Sequence, residues 1–176
     1  MEGQRLYREQ GRAEASVELI NTPEAFISEG LAELGESLIL DSARWTELLA
    51  GICARAGLEL SADELAGQWQ VSRALNALRG VGGDAALLLH HQRLPREKVL
   101  DFIRQRALRT PEQAAKTLEF IDHPLWRTYV FCYAGGERLL RRWVDGAADA
   151  TARRARFWRL LTEQLTPSAI AREIPS

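Results

Sequence analysis

Apolar residues recur at the spacing of amphipathic helices along almost the whole chain, and no stretch of useful length alternates as a strand does. Proline punctuates the pattern. Pro23, Pro111 and Pro167 each follow a threonine, at Thr22, Thr110 and Thr166. Threonine caps helix N-termini well and proline suits the first helical position, so helices are predicted to open at TPEAF, TPEQA and TPSAI. Pro95 and Pro124 open two more, Asp41 is a further N-cap, and Ser61 with Glu64 forms a capping box. The predicted helices span about 23–40, 42–56, 62–79, 84–91, 95–107, 111–121, 124–145 and 150–165, with a short turn after Pro167 and a short helix before Asn21. Gly80, Gly82 and Gly83 read as a joint between helices. The fold class is therefore all-α: a single bundle of about eight helices spanning 1–176.

The segment 124–145 differs from the others, being apolar on nearly every face from Leu125 to Ala134. A helix of that kind belongs at the centre of a bundle. Gly135 and Gly136 lie inside it and each costs on the order of 1 kcal/mol relative to alanine, so a closely packed neighbouring backbone is expected to compensate. Tyr129 and Tyr133 share one face, and buried phenols need partners, so that face is expected to meet a polar group.

The predicted helix 23–40 has a core stripe of Ile27, Leu31, Leu34 and Leu38, with Glu29, Glu33 and Glu36 on the other side. From Ala13 to Ala43 there are seven acids and no basic residue. The first reading of this row is a solvent-facing side; like charges one turn apart repel, however, and a carboxylate row without basic neighbours is also what a metal site or a cationic partner would use.

Composition adds bounds. The chain has 176 residues, 46% of them hydrophobic and 27% charged, which is enough apolar material for a core. Net charge is −1, but residues 1–88 carry 7 basic and 14 acidic residues while 89–176 carry 16 and 10. The arginines between Arg138 and Arg159 read as a solvated face or as partners of the acidic half, with nucleic acid a less favoured partner. Cys53 and Cys132 fit no metal or redox spacing and read as buried thiols. No apolar run is long enough to span a bilayer and the N-terminus is not a signal peptide, so no membrane partner and a cytoplasmic location are expected. His90, His91 and His123 form neither HExxH nor the ExxH pair of di-iron bundles, and no nucleophile elbow or phosphate loop is present.

Three stretches carry a resemblance: VELINTPEAFISEGLAEL from Val17, GGDAALLLHHQRLPREKVLDFIRQRAL from Gly82 and DHPLWRTYVFCYAGGERLL from Asp122. Together they resemble bacterial HExxH-type proteins of the group labelled domain of unknown function 885, which look related to helical gluzincin carboxypeptidases. The resemblance covers about residues 5–145. It implies a zinc metallopeptidase-like fold of which this chain is the C-terminal portion. In the intact family fold an HExxH helix supplies two zinc histidines and the general base. SEGLAELGE matches the setting of the remaining ligand, which makes Glu29 the candidate third zinc ligand and Glu33 a carboxylate that orients a ligating histidine. Tyr133, in YAGG, is the candidate oxyanion donor. The resemblance further implies that Glu29, Glu33 and Tyr133 line one cavity.

The HExxH segment is absent from this sequence. It is expected just upstream of Met1, as if the start were truncated, and is then the missing partner of this chain. A degenerate relative is the other explanation. On either view the isolated chain is expected to bind no zinc and to leave peptide-like substrates intact. The alternative is a stand-alone helical binding protein without catalysis.

Overall fold

Two glycines decide how the central helices meet. In the computed structural model, which describes residues 2–17 and 19–174, Gly30 and Gly136 face each other where two helices cross backbone to backbone. Gly30 belongs to α2 (Pro23–Ile39) and Gly136 to α8 (Val130–Asp145). A Cβ built on Gly30 falls 2.7 Å from the Gly136 Cα, and one built on Gly136 falls 2.8 Å from the Gly30 Cα. Neither backbone leaves room for a methyl group. The compensation expected for the glycines inside α8 is thus present at Gly136. Gly135 instead receives the Phe26 ring, which comes within 3.2 Å of where a Cβ would stand.

The remaining elements are α1 (Glu2–Arg8), a 3-10 turn at Ala13–Ser16, α3 (Ser42–Arg55), α4 (Ala62–Asn76), α5 (Val81–His90), α6 (Arg96–Arg106), α7 (Pro111–Asp122), α9 (Ala150–Thr162) and α10 (Pro167–Arg172). Helix makes up 73% of the chain, and no strand occurs among the described residues, so the class is all-α. The capping signals act as read. Thr22, Asp41, Ser61, Thr110 and Thr166 each accept a backbone N–H of their own helix, and Ser61 and Thr110 complete capping boxes.

Two apolar clusters flank α8. One joins Ile27 and Leu34 of α2 to Leu140, Trp143 and Val144 of α8, Leu160 of α9 and Ile170 of α10. The other lies among α5, α6 and α7 around Val99, Ile103 and Ile121. Ile27 and Leu34 are buried, and Leu31 and Leu38 pack partly buried beside them, so the core stripe of α2 is where the spacing placed it.

Several boundaries differ from the sequence reading: α4 ends at Asn76 rather than at about 79, α9 at Thr162 rather than at about 165, and two helix starts are displaced. The central helix opens at Val130 rather than at about 124, because residues 124–129 form a run of tight turns. Trp126 and Tyr129 donate their N–H groups three residues back, to His123 and Trp126, and Leu125 N–H donates to His123 Nδ1 at 3.1 Å. The glycine joint also extends less far, since Gly82 and Gly83 are inside α5. There they admit Val130 and Phe131 at the start of α8, which approach their Cβ positions to 3.2 and 3.3 Å. No helix among the described residues is long and apolar enough to cross a membrane.

Helices α3 and α4 form a hairpin that makes its principal contacts within itself. Its core is small: Cys53, Leu65 and a Trp45–Trp69 pair with ring centroids 5.4 Å apart. Leu48, Ile52, Val71 and Leu75 stay exposed.

Candidate functional site

The close crossing fixes what stands next to Glu29. Gly30 must face α8, so its neighbour Glu29 comes to lie against the tyrosines at the N-terminal end of that helix. Tyr129, in the last of the tight turns, donates its hydroxyl to Glu29 Oε1 at 2.5 Å. Tyr133, in the first turn of α8, packs edge-on against Tyr129 with centroids 5.6 Å apart. Trp126 packs edge-on against Tyr129 at 5.7 Å, and Phe120 stacks on Trp126 at 6.1 Å. The face shared by Tyr129 and Tyr133 therefore does meet a polar group, and that group is Glu29.

A second tie holds the same two segments together. Asn21, in the left-handed region at φ 59°, donates its amide to Leu125 O at 2.8 Å and accepts from Thr128 Oγ1 at 3.1 Å. Asparagine tolerates this conformation better than most residues. The entry to α2 is thus fastened to the turns that carry Tyr129.

The electrostatics of the cluster favour protonated groups. The hydrogen bond to Glu29, then burial and the carboxylate charge, push the Tyr129 phenol far above the usual tyrosine range. Burial and then the charge of Glu29 raise Tyr133, and the same two causes raise the buried Cys132 thiol. Two phenols and a thiol, groups that already carry their protons at neutral pH, are thus held still further from ionisation beside Glu29. A neutral Tyr133 retains a proton to donate, as an oxyanion donor must.

Glu33 stands elsewhere. Its carboxylate forms an ion pair with Arg79, from the joint between α4 and α5. With Glu36, Ser37, Arg73 and Arg141 they line a cleft of about 320 Å³ in which neither Glu29 nor Tyr133 takes part. The structure therefore brings Glu29 and Tyr133 into one cluster and leaves Glu33 in another. One member of the acidic row has a basic partner after all, supplied from a distant segment: Arg79 reaches Glu33, while Arg141 binds Glu137 of its own helix and donates to the Ser37 hydroxyl at 3.1 Å. Glu24 and Glu36 are exposed, and Glu18 lies outside the described residues.

Among the described residues no group of three or more His, Cys, Asp or Glu side chains converges as a metal site. Two of the three histidines serve structure. His90 Nε2 lies 2.7 Å from Ile121 O, tying α5 to α7, and His123 caps the turn at Leu125. With one carboxylate oxygen of Glu29 taken by Tyr129 and Glu33 held by Arg79, these residues do not by themselves make a zinc site. Cys53 and Cys132 are both buried free thiols.

The sequence reading placed both tyrosines on a face that meets a polar group and singled out Tyr133 as candidate oxyanion donor; the hydroxyl that bonds Glu29 is that of Tyr129. The pairing of tyrosines one turn apart was the available signal; which of them reaches the carboxylate depends on where α8 begins. Asn21, Thr128 and Arg79 carried no local signal, since each acts across a long sequence separation. No known family profile matches the chain, and neither a curated protein nor a solved structure matches it.

Proposed function

We propose that this chain is the C-terminal, substrate-side portion of a cytoplasmic zinc metallopeptidase-like protein and is catalytically inactive in isolation. One observation carries the reading: Glu29 and Tyr133 occupy a single half-buried cluster beside a close glycine crossing. In this proposal Glu29 is the one metal-binding carboxylate the chain contributes, and Tyr133 is a hydrogen-bond donor to substrate. Glu33, held by Arg79, acts at most through the position of α2. The histidines and the general base come from an HExxH segment outside this sequence, and a peptide-like substrate meets the site only when that segment is present.

The test joins a reading of the gene to a zinc titration. An in-frame HExxH encoded within a few tens of codons upstream of Met1 is expected. The longer polypeptide should bind one zinc, the 176-residue chain none, and Glu29→Gln should weaken zinc binding in the longer form by about tenfold or more. An unaltered zinc affinity in the Glu29→Gln form, or no HExxH in frame, overturns the proposal.

A second reading, a helical binding protein without chemistry, is favoured by a different observation: Glu29 and Glu33 each already have a partner within the chain. It predicts a cooperative, metal-independent melt of the isolated monomer.

A further inference from the structure

Away from the Glu29 cluster, the C-terminal end of α8 and the start of α9 carry an arginine-rich surface beside an apolar groove. The groove, about 370 Å³, lies where the end of α2 meets α9. Leu38, Ile39 and Phe157 form its apolar walls, and among the described residues its charged lining is Arg153 and Arg154. Ile39, on the last turn of α2, is 69% exposed beside the partly buried Leu38 and Phe157.

The adjoining cleft on α8 is lined by Arg79, Arg138, Arg141 and Arg142 against two carboxylates, Glu137 and Asp145. The two depressions are linked, because Asp145 of the cleft pairs with Arg153 of the groove at 2.9 Å. Arg79 and Arg141 are likewise committed, to Glu33 and Glu137. Arg138, Arg142 and Arg154 have no carboxylate within ion-pair distance among the described residues. Arg138 and Arg142 stand one turn apart on the same helix, where like charges repel unless an anion lies between them.

We infer that this surface docks an acidic segment of a partner protein that inserts an apolar side chain into the Leu38–Ile39–Phe157 groove and sets carboxylates against Arg138, Arg142 and Arg154. Charge complementarity selects an anion, and the apolar groove selects a side chain over a sugar–phosphate backbone, which has nothing to place there. Guanidinium groups grip carboxylates in paired hydrogen bonds, and the groove supplies the desolvated contact that makes such a surface specific. The inference is independent of the zinc reading, since it uses none of the Glu29 cluster.

A phage-displayed random peptide library panned on the full 176-residue chain tests it, with the Arg142→Glu/Arg154→Glu variant as counter-selection. Enriched peptides should carry a Leu, Ile or Phe flanked by Asp or Glu. A labelled enriched peptide should lose at least about tenfold in affinity on the charge-reversed chain and on Ile39→Ser, and should weaken steeply with salt. Thermal melts confirm that the variants fold. The inference is overturned if no acidic–apolar consensus emerges or if enriched peptides bind the charge-reversed chain equally well. Tighter binding of a labelled single-stranded DNA oligonucleotide than of the enriched peptide also overturns it, in favour of a nucleic-acid surface.

Discussion

The α2–α8 crossing and the α3–α4 hairpin are both helix pairs with glycines inside them, yet glycine means opposite things in the two. At the crossing, Gly30 and Gly136 permit an approach that any side chain forbids. In the hairpin, Gly51 and Gly67 have open space at their Cβ positions and only add backbone freedom to the unfolded chain. The crossing is backed by fully buried Leu34, Leu140 and Trp143, whereas the hairpin leaves Leu48, Ile52, Val71 and Leu75 exposed. The molecule concentrates its close packing on the segment that holds Glu29 against the tyrosines, not on the hairpin.

The largest expected effect lies at the crossing. Gly136→Ala and Gly30→Ala should each destabilise by about 3 kcal/mol, since the added methyl meets backbone rather than a movable side chain. Gly51→Ala and Gly67→Ala in the hairpin should instead stabilise by about 0.5–1 kcal/mol. Thermal or urea denaturation of the four variants checks the contrast, and equal shifts in both regions would remove it.

A smaller loss is expected from Tyr129→Phe, which leaves a half-buried carboxylate oxygen of Glu29 without its donor. About 1 kcal/mol should be lost by denaturation, with the aromatic packing retained. The sign of the pH dependence follows from the raised phenol. Its contribution is fully present below the ordinary tyrosine range and disappears as pH rises through the higher folded-state value. Tyr129→Phe should therefore flatten the alkaline loss of stability.

The outer end of α8 gives a weaker effect of the opposite sense. Glu173 accepts from Trp143 Nε1 at 3.0 Å and from both terminal nitrogens of Arg159, and the Arg159 bonds hold its carboxyl below the usual range. Its contribution is present above the ordinary carboxylate range and fades as pH falls through the lower folded-state value. Because the pair is partly solvent-exposed, Glu173→Gln should cost about 0.5 kcal/mol, fading further in high salt. The smallest effect belongs to the hairpin surface, where Ile52→Ser should change stability by no more than about 0.5 kcal/mol.

Much of this was legible in the sequence because it is local. The Thr–Pro pairs, the Ser61–Glu64 box and the stripe from Ile27 to Leu38 concern residues within a few positions of one another, and each element follows from them. The expected close neighbour of the α8 glycines was legible too, though not its identity as Gly30. The start of α8 was not, because a run of turns bonded three residues back, from His123 to Tyr129, keeps near-helical spacing while changing the backbone. The partners of the acidic row were hidden for another reason. Arg79 and Tyr129 reach Glu33 and Glu29 across tertiary contacts that no spacing rule encodes.

Tyrosine side-chain NMR, following the ring carbon next to the hydroxyl through an alkaline titration, reads the Glu29 cluster directly. Tyr129 and Tyr133 should both ionise above the ordinary tyrosine range, and Glu29→Gln should bring both down, Tyr129 by more. Ionisation of both within the ordinary range, unmoved by Glu29→Gln, would contradict the placement of Glu29 between α2 and the tyrosines of α8.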